Sequence, residues 1–263
     1  MIFYISGTGN TKWAAKQISA STNERLIDIT KLTDKTYKYR LAEGEIIGFC
    51  FPVHSWRPPL IMRKFIEQLS IENPSGHYCF ALCTAGDTIG ETMKIFSRCL
   101  NKKGLHLDSS FTLLMPESYV GLPFMDVDTP ENEAKKKRQA ANDLSRFIEL
   151  IIKREKNIEK LAIGKWPRIN SRFIGSLFDK CMITDKPFKV NTDKCINCGI
   201  CAKSCPVDNI TMNAKKIPEW KHNGSCMTCF ACYHHCPKHA IEYGRMTRNK
   251  GQYYFKDDEN TKL

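Results

Sequence analysis

No stretch of the 263-residue chain approaches the roughly 18 to 20 uninterrupted apolar residues of a membrane-spanning helix. The first residues lack the basic and then apolar segments of a secretory signal and read instead as a strand. A cytoplasmic protein with no membrane role is therefore expected. Two nucleotide signatures are missing as well. The GxxxxGKS/T spacing is absent after the first strand, and Lys12 stands where GxGxxG needs its third glycine. No NAD(P)-binding domain can be traced. Between Asn191 and Gly244 aliphatic residues are scarce, too scarce for that stretch to fold on an apolar core alone.

Cysteine and positive charge are what the chain has in excess. A disulfide framework does not suit a reducing compartment, so 13 cysteines point first to metal binding. Eight lie between Cys195 and Cys236, whereas Cys50, Cys79, Cys83, Cys99 and Cys181 are scattered. Cys50, Cys79 and Cys83 fall on expected strands and read as small buried hydrophobes. The formal net charge is +12, and residues 134–190 hold 15 Lys or Arg against 6 Asp or Glu. Nucleic acid or an acidic protein would suit such a surface. With no recognition helix or aromatic platform beside it, a solvated helix face is the simpler reading, and a nucleic-acid partner is not expected.

Over the first 150 or so residues, strand-like and helix-like segments alternate. Strands are expected at Met1–Ile5, Arg25–Ile29, Glu45–Phe51, His77–Thr84 and within Leu105–Met115. Helices are expected from Thr11 to about Ser21, Pro59 to Leu69, Thr88 to about Lys102 and Pro130 to about Lys156. That alternation predicts an α/β fold with a doubly wound parallel sheet of five strands. It occupies residues 1–158. A connector follows at 159–190, a cysteine-rich unit at 191–245 and a polar tail at 246–263. Trp166, Phe173, Leu177 and Phe178 make the connector too apolar for a free linker, so it is expected to pack against something.

The eight clustered cysteines form two runs of one pattern, C-x2-C-x2-C-x3-C-P. The first is Cys195, Cys198, Cys201, Cys205 and Pro206; the second is Cys226, Cys229, Cys232, Cys236 and Pro237. A zinc ribbon would show two CxxC pairs instead. In such runs three thiolates hold one cube and the fourth reaches to the other. Cys195, Cys198, Cys201 and Cys236 then hold the first 4Fe–4S cluster, and Cys226, Cys229, Cys232 and Cys205 the second. The chain from Asn191 to Tyr243 resembles the bacterial two-cluster ferredoxin domain, a small α+β unit, which implies one-electron transfer at low potential.

The first strand runs into Ser6-Gly7-Thr8-Gly9-Asn10-Thr11. Hydroxyls and backbone amides at a helix N-terminus can hold a phosphate, although a plain turn with Thr11 as N-cap would use some of the same residues. Ser6, Thr8, Gly9 and Thr11 match the S/T-x-T-G-x-T pattern of flavodoxins. That resemblance implies FMN and a sheet order of 2-1-3-4-5, with the site where strand order reverses. It also implies that Pro52, Val53, His54, Ser55 and Trp56 flank the flavin ring, with Trp56 stacking on it, although a loop Trp beside two prolines would also serve as a packing anchor. Thr84, Ala85, Gly86 and Asp87 would supply amides or a polar contact along the ring edge, though Asp87 would equally suit a helix cap. His54 and Tyr119 would border the site or serve equally in the core or on the surface.

The basic charge departs from the flavodoxin pattern. So does the loop after the fourth strand, which lacks an aromatic residue and leaves the flavin's outer face open to a second reactant or to the ferredoxin domain. As a whole the chain resembles a family of flavodoxin–ferredoxin fusions found mainly among anaerobes. The resemblance implies an electron-transfer protein linking two 4Fe–4S clusters, FMN and a redox partner. That partner would be an acidic ferredoxin- or flavodoxin-type protein, or an oxidoreductase. An FMN-dependent reductase of a small organic substrate is the alternative, with no catalytic residue identifiable. A redox-sensing nucleic-acid binder is the least favoured.

Overall fold

The computed structural model describes residues 1–33, 36–257 and 261. The chain opens with β1 (Ile2–Tyr4), α1 (Asn10–Thr22) and β2 (Leu26–Asp28), and continues through β3 (Tyr37–Tyr39), β4 (Ile47–Pro52), α2 (Leu60–Gln68) and β5 (Leu69–Ile71). Next come β6 (Cys79–Ala85), α3 (Thr92–Asn101), β7 (Ser109–Leu114), α4 (Pro130–Ile152) and β8 (Ile158–Lys160). Six of these strands make one sheet in the order β2-β1-β4-β6-β7-β8, every neighbouring pair parallel.

Five strands were expected and the sheet has six. β8 adds to the edge through Ser109↔Ile158 and Phe111↔Lys160. Its sequence, IEK, holds one apolar residue, so no strand signal marks it. β3 and β5 form a separate parallel pair with no counterpart among the expected strands. The helix expected from Thr88 begins at Thr92, after a turn, and α4 ends at Ile152.

Both faces of the sheet are covered, which is why β4 and β6 read as nearly unbroken apolar runs. Phe3, Phe49 and Phe51 meet Phe65 of α2 and Phe96 of α3 on one face. On the other, Phe80, Leu82 and Phe111 meet Trp13 of α1 and Leu144 and Phe147 of α4. α4 begins on Thr129, whose side chain accepts from Asn132 N, followed by Pro130 and by Glu131 and Glu133 in the first turn. Its basic run is not wholly solvated, because Lys137 is buried and pairs with Glu133 at 2.8 Å.

Helical turns fill the connector: α5 (Pro167–Ile169), a π-helical turn (Asn170–Ile174) and α6 (Gly175–Cys181). It packs against the body, but by its polar face. Of the four apolar residues from which packing is expected, Phe178 is half-buried while Trp166, Phe173 and Leu177 are exposed.

The cysteine-rich stretch contains β9 (Phe188–Val190), α7 (Ile200–Lys203), β10 (Ile210–Met212), β11 (Pro218–Trp220), α8 (Ala231–His234) and β12 (Ile241–Tyr243). Its two antiparallel pairs are β10–β11 and β9–β12. Aromatic residues and cysteines supply the core that aliphatics do not, with Phe188 stacked on Trp220 at 5.4 Å and Phe230 buried beside them. The chain then turns back toward the first helix. Gln252 Nε2 donates to Cys236 O at 2.9 Å, Tyr253 Oη to Asn10 Oδ1 at 2.5 Å, and Phe255 N to Thr8 O at 2.8 Å. No helix among the described residues is long and apolar enough to cross a membrane.

Candidate functional site

β1 delivers the chain into a bend that ends at Gly9, where φ is +106°. A left-handed residue at this corner starts α1 directly at Asn10, and Gly9, not Thr11, is the N-cap. Having no side chain, Gly9 leaves the amides of the first turn uncapped by its own residue. Ser6 Oγ accepts from Gly9 N at 3.2 Å, and Thr11 Oγ1 is 2.7 Å from Thr84 Oγ1, tying the loop after β1 to the end of β6. Asn10 is committed on both sides, since Nδ2 donates to Pro116 O at 3.1 Å while Oδ1 accepts from Tyr253.

Ser6, Thr8, Asn10 and Thr11 line a cavity of about 360 Å³. Gly9 does not, because it faces Phe255, whose Cβ would lie 2.9 Å from a Cβ added there. The loop after β4 supplies a second wall with Pro52, Val53, His54, Ser55 and Trp56. His54 and Arg57 exchange backbone hydrogen bonds of 3.0 Å around Ser55 and Trp56, which sit at φ +46° and +58°. Two successive non-glycine residues in the left-handed region cost free energy that only a fixed surrounding repays. Trp56 Nε1 donates to Thr88 Oγ1 at 3.1 Å, so the indole is pinned at the wall. Burial holds the His54 imidazole down to about 4, so it is neutral near pH 7.

The third wall is Thr84, Ala85, Gly86 and Asp87 together with Thr88. Asp87 Oδ1 accepts from Thr88 N, while the N-cap of α3 is Glu91. Glu117 and Tyr119 complete this side. The Glu117 carboxylate accepts from Ser118 N and Tyr119 N, both at 2.9 Å, yet burial outweighs those bonds and raises its pKa. Among the described residues, Tyr119 Oη is buried with no hydrogen-bond partner.

The last wall comes from the cysteine-rich stretch, where Met227, Thr228 and Cys229 line the same cavity. The ferredoxin-like stretch is one of two expected neighbours of this opening, but which of its residues reach the phosphate-type loop is decided by long-range packing. Leu122, Phe124, Ile174 and Phe178 at the rim were missed for the same reason.

Around the cysteines the two runs repeat the same backbone. Asn197 and Thr228, Gly199 and Phe230, and Asp208 and His239 occupy matching positions, and all six have positive φ. These turns aim amides at sulfur: Asn209 N donates to Cys205 Sγ at 3.3 Å, Thr228 N to Cys226 Sγ at 3.4 Å and Ala240 N to Cys236 Sγ at 3.2 Å. Cys195, Cys198, Cys201 and Cys236 line one small cavity, three from the first run and one from the second. Burial first, then the neighbouring thiols Cys236, Cys198 and Cys195, push Cys201 up to about 11. Cys229 rises to about 12 through burial, with Cys226 and Cys205 adding to it. Thiols so crowded are costly to ionise unless a metal centre takes the thiolates. Cys50, Cys79 and Cys83 are buried on strands, and burial raises all three.

Residues 188–237 match the family model of the 4Fe-4S dicluster domain. An uncharacterised protein of Methanocaldococcus jannaschii is 31% identical over 61 residues, 23% of this chain and 22% of that protein. The chain thus spans less than a quarter of this curated relative's length. A crystal structure from Bacteroides uniformis, provisionally described as a flavoprotein, shares 21% identity, covering 43% of this chain and 88% of that one, with a TM-score of 0.35. The rubredoxin oxygen:oxidoreductase of the anaerobe Desulfovibrio gigas shares 16%, covering 56% of this chain and 35% of that one, with a TM-score of 0.32.

Proposed function

We propose that the chain is a cytoplasmic electron-transfer iron–sulfur flavoprotein, passing single electrons between two 4Fe–4S clusters and an FMN and on to or from a redox partner. One observation carries the reading. The wall formed by Met227, Thr228 and Cys229 closes the same cavity as the hydroxyl loop Ser6–Thr11 and the loops after β4 and β6. When bound, the clusters exchange one electron each and FMN one or two.

The donor set fits a flavin phosphate. Ser6, Thr8 and Thr11 offer hydroxyls at a helix start whose cap residue has no side chain. Trp56, pinned through Thr88, would hold the ring, with Thr84, Ala85, Gly86 and Asp87 along its edge. Cys195, Cys198, Cys201 and Cys236 would hold one cluster, and Cys226, Cys229, Cys232 and Cys205 the other, the second standing nearer the flavin cavity. The backbone amides of Asn209, Thr228 and Ala240 would stabilise charge on the sulfurs. Residues 1–158 then form a flavodoxin-like unit and 191–245 a ferredoxin-like one. Tail and connector join them.

A reductase of a small organic substrate is the second reading. Glu117 favours it, as a half-buried carboxyl in the cavity wall, its pKa raised by desolvation, is placed to exchange a proton with a bound molecule. Anaerobic purification tests both, with iron and sulfide counted and the flavin extracted. The electron-transfer reading expects about eight irons and one FMN per chain, and reduction of a redox protein in preference to small acceptors. Fewer than about seven irons, or a colourless supernatant after acid precipitation, overturns it. Turnover of a small molecule with no protein partner selects the reductase.

A further inference from the structure

The helical segment at 167–181 is amphipathic, and its polar face is the one turned inward. Ser171 is fully buried; its Oγ accepts from Glu91 N at 2.8 Å and its carbonyl from Arg57 Nη1 at 2.9 Å. Asp179 pairs with Arg57 Nε at 2.8 Å and Arg63 Nη2 at 2.5 Å, and Arg172 grips both oxygens of Glu91. Gly175 lies so close to the body that a Cβ would fall 2.4 Å from Ser55 O. Anchored at these points, the segment cannot roll its apolar side under.

That apolar side is a stripe. Trp166, at the cap of the segment, and Ile169, Phe173 and Leu177 within it follow one another at intervals of three, four and four residues and are 74, 50, 75 and 63% exposed. Surface helices normally present the reverse. The stripe adjoins the candidate cavity, because Ile174 and Phe178 of the same segment line it. Phe124, 83% exposed, lines it from another loop. Contiguous apolar surface of this kind marks an interaction site.

Charge indicates the occupant. Lys165, Arg168 and Lys180 are exposed along the segment, and its one acid, Asp179, is held inside. We infer that the stripe and the cavity rim form the docking surface for a small acidic redox protein. Its apolar contact would cover Trp166, Phe173 and Leu177 while its carboxylates meet the lysines and arginine. A second copy of this chain would bring two basic rims together, which opposes association. An anionic bilayer matches the charge but supplies no electron carrier at a concave opening.

The inference rests on reading the cavity as a flavin site. The test titrates the iron- and flavin-counted protein with a purified acidic ferredoxin and an acidic flavodoxin in a calorimeter at low and high salt. Two variants are compared with the parent, Phe173→Ser/Leu177→Ser and Lys165→Glu/Arg168→Glu. All four positions are solvent-exposed, so unchanged melting and iron content are expected. The docking surface predicts binding of at least one probe that weakens with salt and about tenfold or more in each variant. A parent that binds neither probe, or variants that bind like the parent, overturns it. So does co-sedimentation with phosphatidylglycerol vesicles lost in the serine variant, which gives the stripe to a membrane. A dimer in sedimentation velocity abolished by the same variant gives it to a second copy and overturns it too. Failure of the flavin reading shows separately, as absent extractable FMN beside an unchanged binding result.

Discussion

Gly7 packs directly against the side chain of Cys229. A Cβ on Gly7 would lie 2.7 Å from Cys229 Cβ and 3.3 Å from its Sγ. The Gly7 backbone therefore packs directly on the Cys229 side chain, and any larger residue must push the two loops apart. Gly7→Ala is expected to cost about 1–3 kcal/mol by overpacking. With iron and flavin content retained, it should also slow flavin reduction through the clusters. Thermal melting and stopped-flow absorbance read the two effects. Parental values for both would show that the contact is not needed.

Thr11 and Thr84 are both buried and share a 2.7 Å hydrogen bond. Thr11→Val keeps the shape and removes one hydroxyl, leaving Thr84 unpaired, a loss of about 1–3 kcal/mol. If Thr11 also belongs to the phosphate site, FMN binding weakens about tenfold. Fluorescence titration of the flavin-stripped protein measures it. Thr22→Val, at the far end of the same helix, is the control and should leave flavin affinity unchanged.

The strands at Ile47–Pro52 and Cys79–Ala85 were legible because burial on both faces leaves an apolar run that nothing else explains. The cysteine runs were legible because ligand spacing is itself chemistry. The strand at Ile158–Lys160 was not, since an edge position asks little of its side chains. The outward face of Trp166 and Phe173 contradicts the rule by which the connector was read. Its cause is the Arg57 and Arg63 pairing with Asp179, which no local pattern announces. The walls at Glu117 and Cys229 were invisible for a similar reason. The chain brings them to the cavity from distant positions, and only packing decides the meeting.

Cysteine substitution separates two ways of sharing the ligands. If Cys236 completes the cluster begun by Cys195, Cys195→Ser/Cys236→Ser damages one site and leaves about four irons. Cys195→Ser/Cys205→Ser then damages both sites and leaves close to none. Ligands confined to each run would give the opposite order. Iron analysis of the two double variants decides between them.

Lys250 fastens the tail. Its Nζ donates to the carbonyls of Val120 at 3.0 Å and Met125 at 2.6 Å, and to that of Leu122. Desolvation lowers its pKa, but the three carbonyls give the ammonium its partners. Lys250→Met leaves those carbonyls without it, an expected loss of about 2–3 kcal/mol. Because Tyr253 and Phe255 lie just beyond and bind Asn10 and Thr8, the same variant should release FMN more easily. Denaturant titration and flavin retention on a desalting column test the two effects. A stable variant that keeps its flavin would show that the tail is a passenger.

Glu117 makes the stability of the fold fall as pH rises. Burial raises its pKa above the ordinary 4.5, against the pull of the Ser118 and Tyr119 amides. The folded chain therefore holds this proton more tightly than the unfolded chain. The stabilising contribution is fully present below about pH 4.5 and is lost as pH rises through the folded pKa. Glu117→Gln retains an oxygen to accept from both amides and has no charge to desolvate. Parent and variant should melt together at about pH 4, and the variant should melt higher at about pH 8. The raised pKa comes from desolvation, so the gap should persist in high salt, where a surface charge effect would fade. Calorimetric scans across this range, at low and high salt, measure it. A variant that melts lower at about pH 8 would mean that the ionised carboxylate is stabilised by its partners after all.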